Sequence, residues 1–267
     1  MENKVLLVLF DGARPDALCK CGHPFYKKFL SESAYTLDAR TVMPSSTLPC
    51  HFSLFTSTDP EVHGVKTNWY EPSEKWIKTL FQQLNYSGKT CGTFYNWPEL
   101  QFTWLHPGSI MHSVLYSTYL IESREANTKT MLAAKNCIKE YAPDFVFLYI
   151  GDPDKAGHTH NWMSEEYLDS LNFSFSLLEE VCSDLPKDYT VILMADHGGH
   201  EGEHGTDCPE DMTIPIIIRG KDFKPGAIFE NASIKDVAPT VTDIVGGKPN
   251  PVWEGESLLN KIKHIAF

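Results

Sequence analysis

A set of short, nearly continuous apolar runs constrains this chain more than any other feature. Val5–Phe10 (VLLVLF), Phe145–Ile150 (FVFLYI), Thr190–Ala195 (TVILMA) and Ile214–Arg219 (IPIIIR) are the clearest, and Lys89–Tyr95 is a weaker fifth. The four clear runs do not alternate apolar with polar residues, as a strand with one wet face would; they fit central strands covered on both faces. Helical patterns fall between them. Trp76–Leu84 carries apolar positions at helical spacing, and Thr128–Tyr141 does so until Pro143 stops it. Glu165–Leu185 sets Tyr167, Leu168, Leu171, Phe175, Leu178 and Val181 on one stripe, and Val237–Val245 follows Asp236 as its expected cap. Strands alternating with helices give an α/β fold, a mostly parallel central sheet with helices on both faces.

The 267 residues contain no internal repeat, low-complexity tract or linker, so residues 1–267 read as a single domain. Residues 88–123 are aromatic-rich and irregular, and are expected to form a cap segment beside the site. A formal net charge of -12 excludes a protein built to bind a nucleic-acid backbone, which shows a basic stripe. No segment approaches membrane-span length. Val5–Phe10 is short for a signal-peptide core, and Asp11 interrupts it. The seven cysteines form no CxxC pair, which points to reduced thiols and a cytoplasmic protein.

Ligands of open α/β sheets bind beyond the carboxyl ends of the strands. Asp11 follows the first run, GDPDKAGHTH follows the second, and DHGGHEGEHG follows the third. Three strand ends mixing carboxylate and imidazole suggest a borderline metal such as zinc. Asp154 and His158 are four apart and share one face if the chain turns helically there. Asp196 and His197 are adjacent, so both reach one ion only where the strand has ended, and Gly198 and Gly199 permit the turn. His204 lies in a glycine-flanked loop able to return over the strand ends. A further stretch, PSSTLPCHFSLF, places three hydroxyls in a row, Ser45, Ser46 and Thr47. The local sequence leaves open which of them, if any, is a nucleophile. Thr47 could equally cap a helix beginning near Pro49.

These pieces, in this order, resemble the alkaline phosphatase superfamily, and most closely its nucleotide pyrophosphatase/phosphodiesterase (type I phosphodiesterase) branch. The likeness runs from VLLVLFDGARPDAL through TLPCHFSLFTSTDPEVHGV, DPDKAGH and ADHGGHEGEHGTDCPEDMTIPIII to DVAPTV. It implies a compact hydrolase of phosphate esters, phosphodiesters or nucleotide pyrophosphates, with two divalent metal ions, usually Zn2+. On matching positions, Asp154, His158 and His204 would hold one ion, and Asp11, Asp196 and His197 the other. Thr47 would be the nucleophile on the second ion, passing through a covalent phospho-threonine. Asn68 would donate a hydrogen bond to a non-bridging phosphate oxygen. The implied partner is a small phosphate ester, a nucleotide among the candidates. The chain departs from the branch at Cys50, where relatives often carry Asn, which puts a substrate contact from that position in question.

Blander roles suit several other residues. His51 is expected to pack or bond within its helix, and His63 to serve a turn. His160 and His200 are expected outside the ligand set, and Asp152 to hold its loop. Tyr149 stands equally as pocket lining or core. Phe94, Tyr95, Trp97 and Trp104 could stack on an aromatic leaving group or cover the sheet. The rival functions are a phosphomonoesterase, with Arg14 and Lys66 as its extra cations, a sulfatase, a phosphomutase and a non-catalytic metal-binding protein. The sulfatase pattern C/S-x-P-x-R is missing, because HFSL follows Cys50. A phosphomutase needs an inserted domain for which there is little room. A non-catalytic relative would have lost ligands that are intact here.

Overall fold

The computed structural model describes residues 3–72, 77–104 and 108–262. Seven strands form one sheet: β1 (Lys4–Phe10), β2 (Ala34–Arg40), β3 (Cys91–Tyr95), β4 (His112–Leu115), β5 (Phe145–Ile150), β6 (Tyr189–Met194) and β7 (Thr213–Arg219). Their spatial order is β2-β7-β6-β1-β5-β3-β4. β1 pairs in parallel with β5 (Val5 opposite Phe145) and with β6 (Lys4 opposite Tyr189), and β3 pairs in parallel with β5 and β4. β7 runs antiparallel to both its neighbours.

The apolar runs become the buried middle of this sheet: every residue of β5 and β6 is buried, and all of β1 except Lys4. Pro215 lies within β7 without breaking it. It falls past the end of β6 and at the register shift between Thr36 and Ala39 of β2, where no ladder bond needs its missing N–H.

The helical patterns also form helices, with boundaries set by local chemistry. The expected helix at Thr128 begins earlier, at Ser123, because the Glu122 side chain accepts from Glu125 N at 3.0 Å. Ser164 opens the Glu165–Ser183 helix by accepting from Tyr167 N. The pattern placed at Trp76–Leu84 is a helix over Leu80–Tyr86, and Trp76 lies outside the described residues. Asp236 precedes the Val237–Ile244 helix but does not cap it with its side chain. Its carboxylate instead takes the Ser233 and Glu256 N–H groups and the Lys261 ammonium. Among the described residues no helix is long and apolar enough to cross a membrane.

Candidate active site

β1, β5 and β6 lie side by side, so the segments leaving their carboxyl ends meet. Asp11 leaves β1 with its N–H bonded to Ile150 O at 3.0 Å. Gly12 follows at φ +66°, and a Cβ there would stand 3.3 Å from Asp154 Oδ1. Glycine thus serves both the turn and the close approach of the next segment. β5 runs into the Asp152–His160 helix, whose pitch stacks Asp154 under His158. β6 ends at Met194, so Asp196 and His197 lie on irregular backbone and point to one place. Gly198 and Gly199 are required by crowding: a Cβ would sit 2.0 Å from Glu210 O at the first and 2.2 Å from Trp162 Cε2 at the second.

Two ligand trios result. In one, Asp154 Oδ1 lies 3.5 Å from His158 Nε2 and 3.6 Å from His204 Nε2. In the other, His197 Nε2 lies 3.2 Å from Asp11 Oδ1 and 3.5 Å from Asp196 Oδ2. Within each trio the candidate ligand atoms fall within 4.8 Å of one another. The trios adjoin, with the His197 and His204 rings stacked at 3.9 Å between centroids.

Each of the three imidazoles has its Nδ1 against a backbone carbonyl: His158 against Gly202 O (2.8 Å), His197 against Gly198 O (2.8 Å) and His204 against Ser45 O (2.9 Å). A carbonyl only accepts, so Nδ1 carries a proton, and each ring in its neutral form aims its Nε2 lone pair into the site. Asp11 Oδ1, Asp154 Oδ1 and Asp196 Oδ2 are buried without any donor. Three acceptor oxygens and three acceptor nitrogens thus converge, with only the Thr47 hydroxyl, beside His197 Nε2, to donate to any of them. Such an arrangement is costly unless a cation occupies it.

The electrostatics say the same. Burial, then the neighbouring Asp11 charge, pushes the Asp154 carboxyl up to about 7, and the same causes push Asp196 up strongly. Asp11 is held below the usual carboxylate range despite its burial, through His197 and the Tyr149 hydroxyl. Burial alone would depress His197, yet Asp196 and Asp11 raise it to about 10. Burial and the facing His197 lower His204 to about 3. Without cations, one buried volume holds carboxylates that repel one another and imidazoles of opposed tendency.

Thr47 is the first residue of the Thr47–Thr56 helix and is 4% exposed, with its Oγ1 3.2 Å from His197 Nε2. The helix starts at Thr47 itself, so this residue does not cap one beginning at Pro49. The serines are separated from it by geometry: Ser45 Oγ donates to Thr206 O at 2.7 Å, and Ser46 precedes the helix without a side-chain cap bond. A cavity of about 320 Å3 opens over the trios, with Thr47, Asn68, Asn96, Trp97, Tyr119 and Lys155 among its walls. Asn68 Oδ1 accepts from Leu48 N at 2.9 Å, which leaves its NH2 as the free donor.

The sequence model of type I phosphodiesterases and nucleotide pyrophosphatases matches residues 5–213, a span that contains every residue placed above. The chain belongs to that family. Rat ectonucleotide pyrophosphatase/phosphodiesterase family member 1 is 29% identical over 217 residues, which cover 74% of this chain and 24% of the rat protein. The chain therefore spans about a quarter of that relative's length. Among solved structures, inactive murine ectonucleotide pyrophosphatase/phosphodiesterase 5 in complex with AMP superposes with a TM-score of 0.82 at 15% identity, over 98% of this chain and 100% of that one. A 2-O GAG sulfatase superposes at 0.76 with 13% identity, over 97% of this chain and 73% of that one. The fold is common to both, so the side chains must distinguish the chemistry.

In this phosphodiesterase-family chain the remaining candidates resolve plainly. Cys50 is fully buried, takes a hydrogen bond from Thr41 Oγ1 at 3.1 Å and does not line the cavity, so its side chain makes no substrate contact there. His51 Nδ1 donates to Thr47 O at 2.7 Å within the helix, which braces the first turn, and lies 3.4 Å from Asp196 Oδ2. His63 joins Ser53 and the Val65 N–H in its turn. Asp152 stands 3.5 Å from Arg124 rather than in a trio. Tyr149 fills both of its suggested roles, buried at 2% exposure yet lining the cavity and donating to Asp11.

Of the four aromatics, Phe94, Tyr95 and Trp104 belong to the core, and Trp97 faces the cavity. Arg14 is held by Asp16 and Gly199 O, beside a separate cavity of about 380 Å3 that contains no member of either trio. Lys66 is 3.5 Å from Glu61 on the surface. Sequence reasoning missed Lys155, Asn96, Thr118, Ser123 and Trp162. Lys155 stood inside the quoted GDPDKAGHTH, but a search for ligand spacing passes over a lysine. His200, Cys208 and Asp211 form a third group, also within 4.8 Å. Its carboxylate is already satisfied, by His200 Nδ1 at 2.8 Å and by Thr206 N and Oγ1.

Proposed function

We propose that this chain hydrolyses phosphodiesters, nucleotide pyrophosphates included, with Thr47 as nucleophile and two divalent cations as cofactors. Asp154, His158 and His204 would hold one ion and Asp11, Asp196 and His197 the other. Mixed imidazole and carboxylate donors suit zinc. The observation that carries this reading is the set of donor-less buried oxygens and inward Nε2 atoms beside a buried threonine hydroxyl. When bound, the cations supply the positive charge that makes a threonine hydroxyl nucleophilic near neutral pH and steadies the departing oxygen.

The chain's own part follows from position. Thr47 Oγ1 attacks phosphorus in line, its proton passes to solvent, and the bond to the leaving oxygen breaks. Water then attacks the phospho-threonine, which restores the hydroxyl and releases the phosphorylated product. The N–H groups of the helix that Thr47 opens favour the anion there, and the Asn68 NH2 is placed to meet a non-bridging oxygen. Trp97 and Tyr119 on one wall suit stacking against a nucleobase or aryl group. They belong to the 88–123 segment, whose strands β3 and β4 join the central sheet; we take residues 96–104 and 116–123, outside those strands, as the cap of the site.

Turnover of bis(p-nitrophenyl) phosphate against p-nitrophenyl phosphate tests this. A clear diester preference that disappears in Thr47→Ala is expected. A large monoester preference would reverse the assignment, and metal analysis at saturation finding fewer than two divalent ions would end the two-ion scheme.

A further inference from the structure

Among the described residues, Lys155 is the only lysine or arginine lining the site cavity. Nearby arginines are committed elsewhere: Arg124 to Asp169 (2.5 Å) and Asp152, and Arg14 to Asp16. Lys155 has no ion pair within 4.0 Å among the described residues, although Glu122 and Asp152 feel its charge. It follows Asp154 by one residue on the same helix, so its side chain leaves the axis about 100° away from the ion-facing side. That sets Lys155 to one side of the Asp154 carboxylate on the cavity wall.

The surroundings suit a substituent. Ser123 and Thr118 bring hydroxyls to the same wall, and the buried Asn96 Oδ1 has no donor of its own, ready for a hydroxyl of the substrate. Gly151 keeps the floor open, because a Cβ there would stand 2.9 Å from Asn96 Oδ1. Charge balance points the same way. Three aspartates against two divalent ions leave one unit of positive charge, which a single diester phosphate consumes. A second phosphate needs another cation.

We propose that Lys155 grips a second anionic group of the substrate, a phosphate next to the scissile one, and so selects nucleotide pyrophosphates over singly charged diesters. This rests on the function proposed above. The test compares metal-loaded wild type, Lys155→Gln and Lys155→Arg on ATP, bis(p-nitrophenyl) phosphate and p-nitrophenyl phosphate, with equilibrium dialysis of ADP and AMP alongside in the Thr47→Ala background, with and without the Lys155 substitutions. In the Gln variant the ratio of kcat/KM for ATP to that for the aryl diester is expected to fall about tenfold, chiefly through KM, and Arg to recover most of it. ADP binding should weaken by a similar factor relative to AMP. Equal losses on ATP and the aryl diester would overturn the proposal, as would a loss confined to p-nitrophenyl phosphate, which would put the ammonium on the scissile group. If the wild type hydrolyses only the monoester, the proposed function fails, while the ADP-to-AMP binding ratio still judges Lys155.

Discussion

Replacing Asp154 by Asn should stabilise the metal-free protein while weakening its response to metal. The Asp154 carboxyl is raised from 3.8 to about 7, by burial first and then by Asp11. A carboxyl raised on folding binds a proton that the unfolded chain has released. Its contribution is therefore fully present below about pH 4 and is lost as pH climbs through 7. Three units at roughly 1.4 kcal/mol each set an upper bound of about 4 kcal/mol of destabilisation at pH 8. The 19% exposure of the side chain admits some water and reduces this to about 2–3 kcal/mol. Asn keeps the shape and removes the charge. Thermal melts of chelator-dialysed protein should place the Asp154→Asn variant several degrees above wild type at pH 8, with the gap closing towards pH 4.5, at about 2–4 °C per kcal/mol. Adding zinc should raise wild type more than the variant and carry it past the variant. A variant melting below wild type at pH 8 without metal, or a zinc response equal to that of wild type, would refute the reasoning.

Other expectations follow from the same geometry. Thr47→Ala should lose at least about a thousandfold in kcat yet bind two equivalents of metal, and Thr47→Ser should retain measurable turnover; intact activity in Thr47→Ala would remove the nucleophile assignment. His63 is lowered to about 4, chiefly by burial, so it favours the folded state above about pH 6.5 and that contribution is lost as pH falls towards 4. His63→Gln should flatten the acid limb of stability against pH, and an unchanged limb in denaturant titrations at pH 4 to 7 would contradict this. Gly199→Ala must displace the Trp162 indole, whose Nε1 donates to Gly12 O at 2.9 Å. A cost of about 1–3 kcal/mol together with weaker metal binding is expected, and a neutral melt would show that the contact yields.

Much of this site was legible because its residues follow strands of unusual apolar continuity. Asp11, Asp154, Asp196 and His197 are found by asking what stands after VLLVLF, FVFLYI and TVILMA. What stayed hidden has physical reasons. β2 (AYTLDAR) alternates buried and exposed residues at the sheet edge, and β4 is four residues long, so neither has a run to detect. Cys50 drew suspicion because its position on the helix cannot be read without knowing which side faces the core. Gly198 and Gly199 looked like turn residues, yet their need is steric and comes from Glu210 and Trp162, both remote from them in the chain.

Strand order explains why the two trios adjoin. β1 is central, and the chain leaves it to build β5, β3 and β4 on one side and β6, β7 and β2 on the other. Segments after β1 and β5 therefore diverge from those after β6 above a single crevice. Each trio draws on two segments. Asp11 from β1 joins Asp196 and His197 from β6, while Asp154 and His158 from β5 join His204, which returns from beyond β6. A slip of β6 would therefore dismantle both trios, and a slip of β5 the one built on Asp154 and His158. The parallel registers on β1 hold Leu9 opposite Tyr149 and Met194 together, and this fixes the two flanks at the same height. Thr47 arrives from the β2 side, with His51 Nδ1 on its carbonyl and near Asp196. Thr47 is thereby indexed to the trio from the far flank, and the sheet places it relative to the candidate ligands.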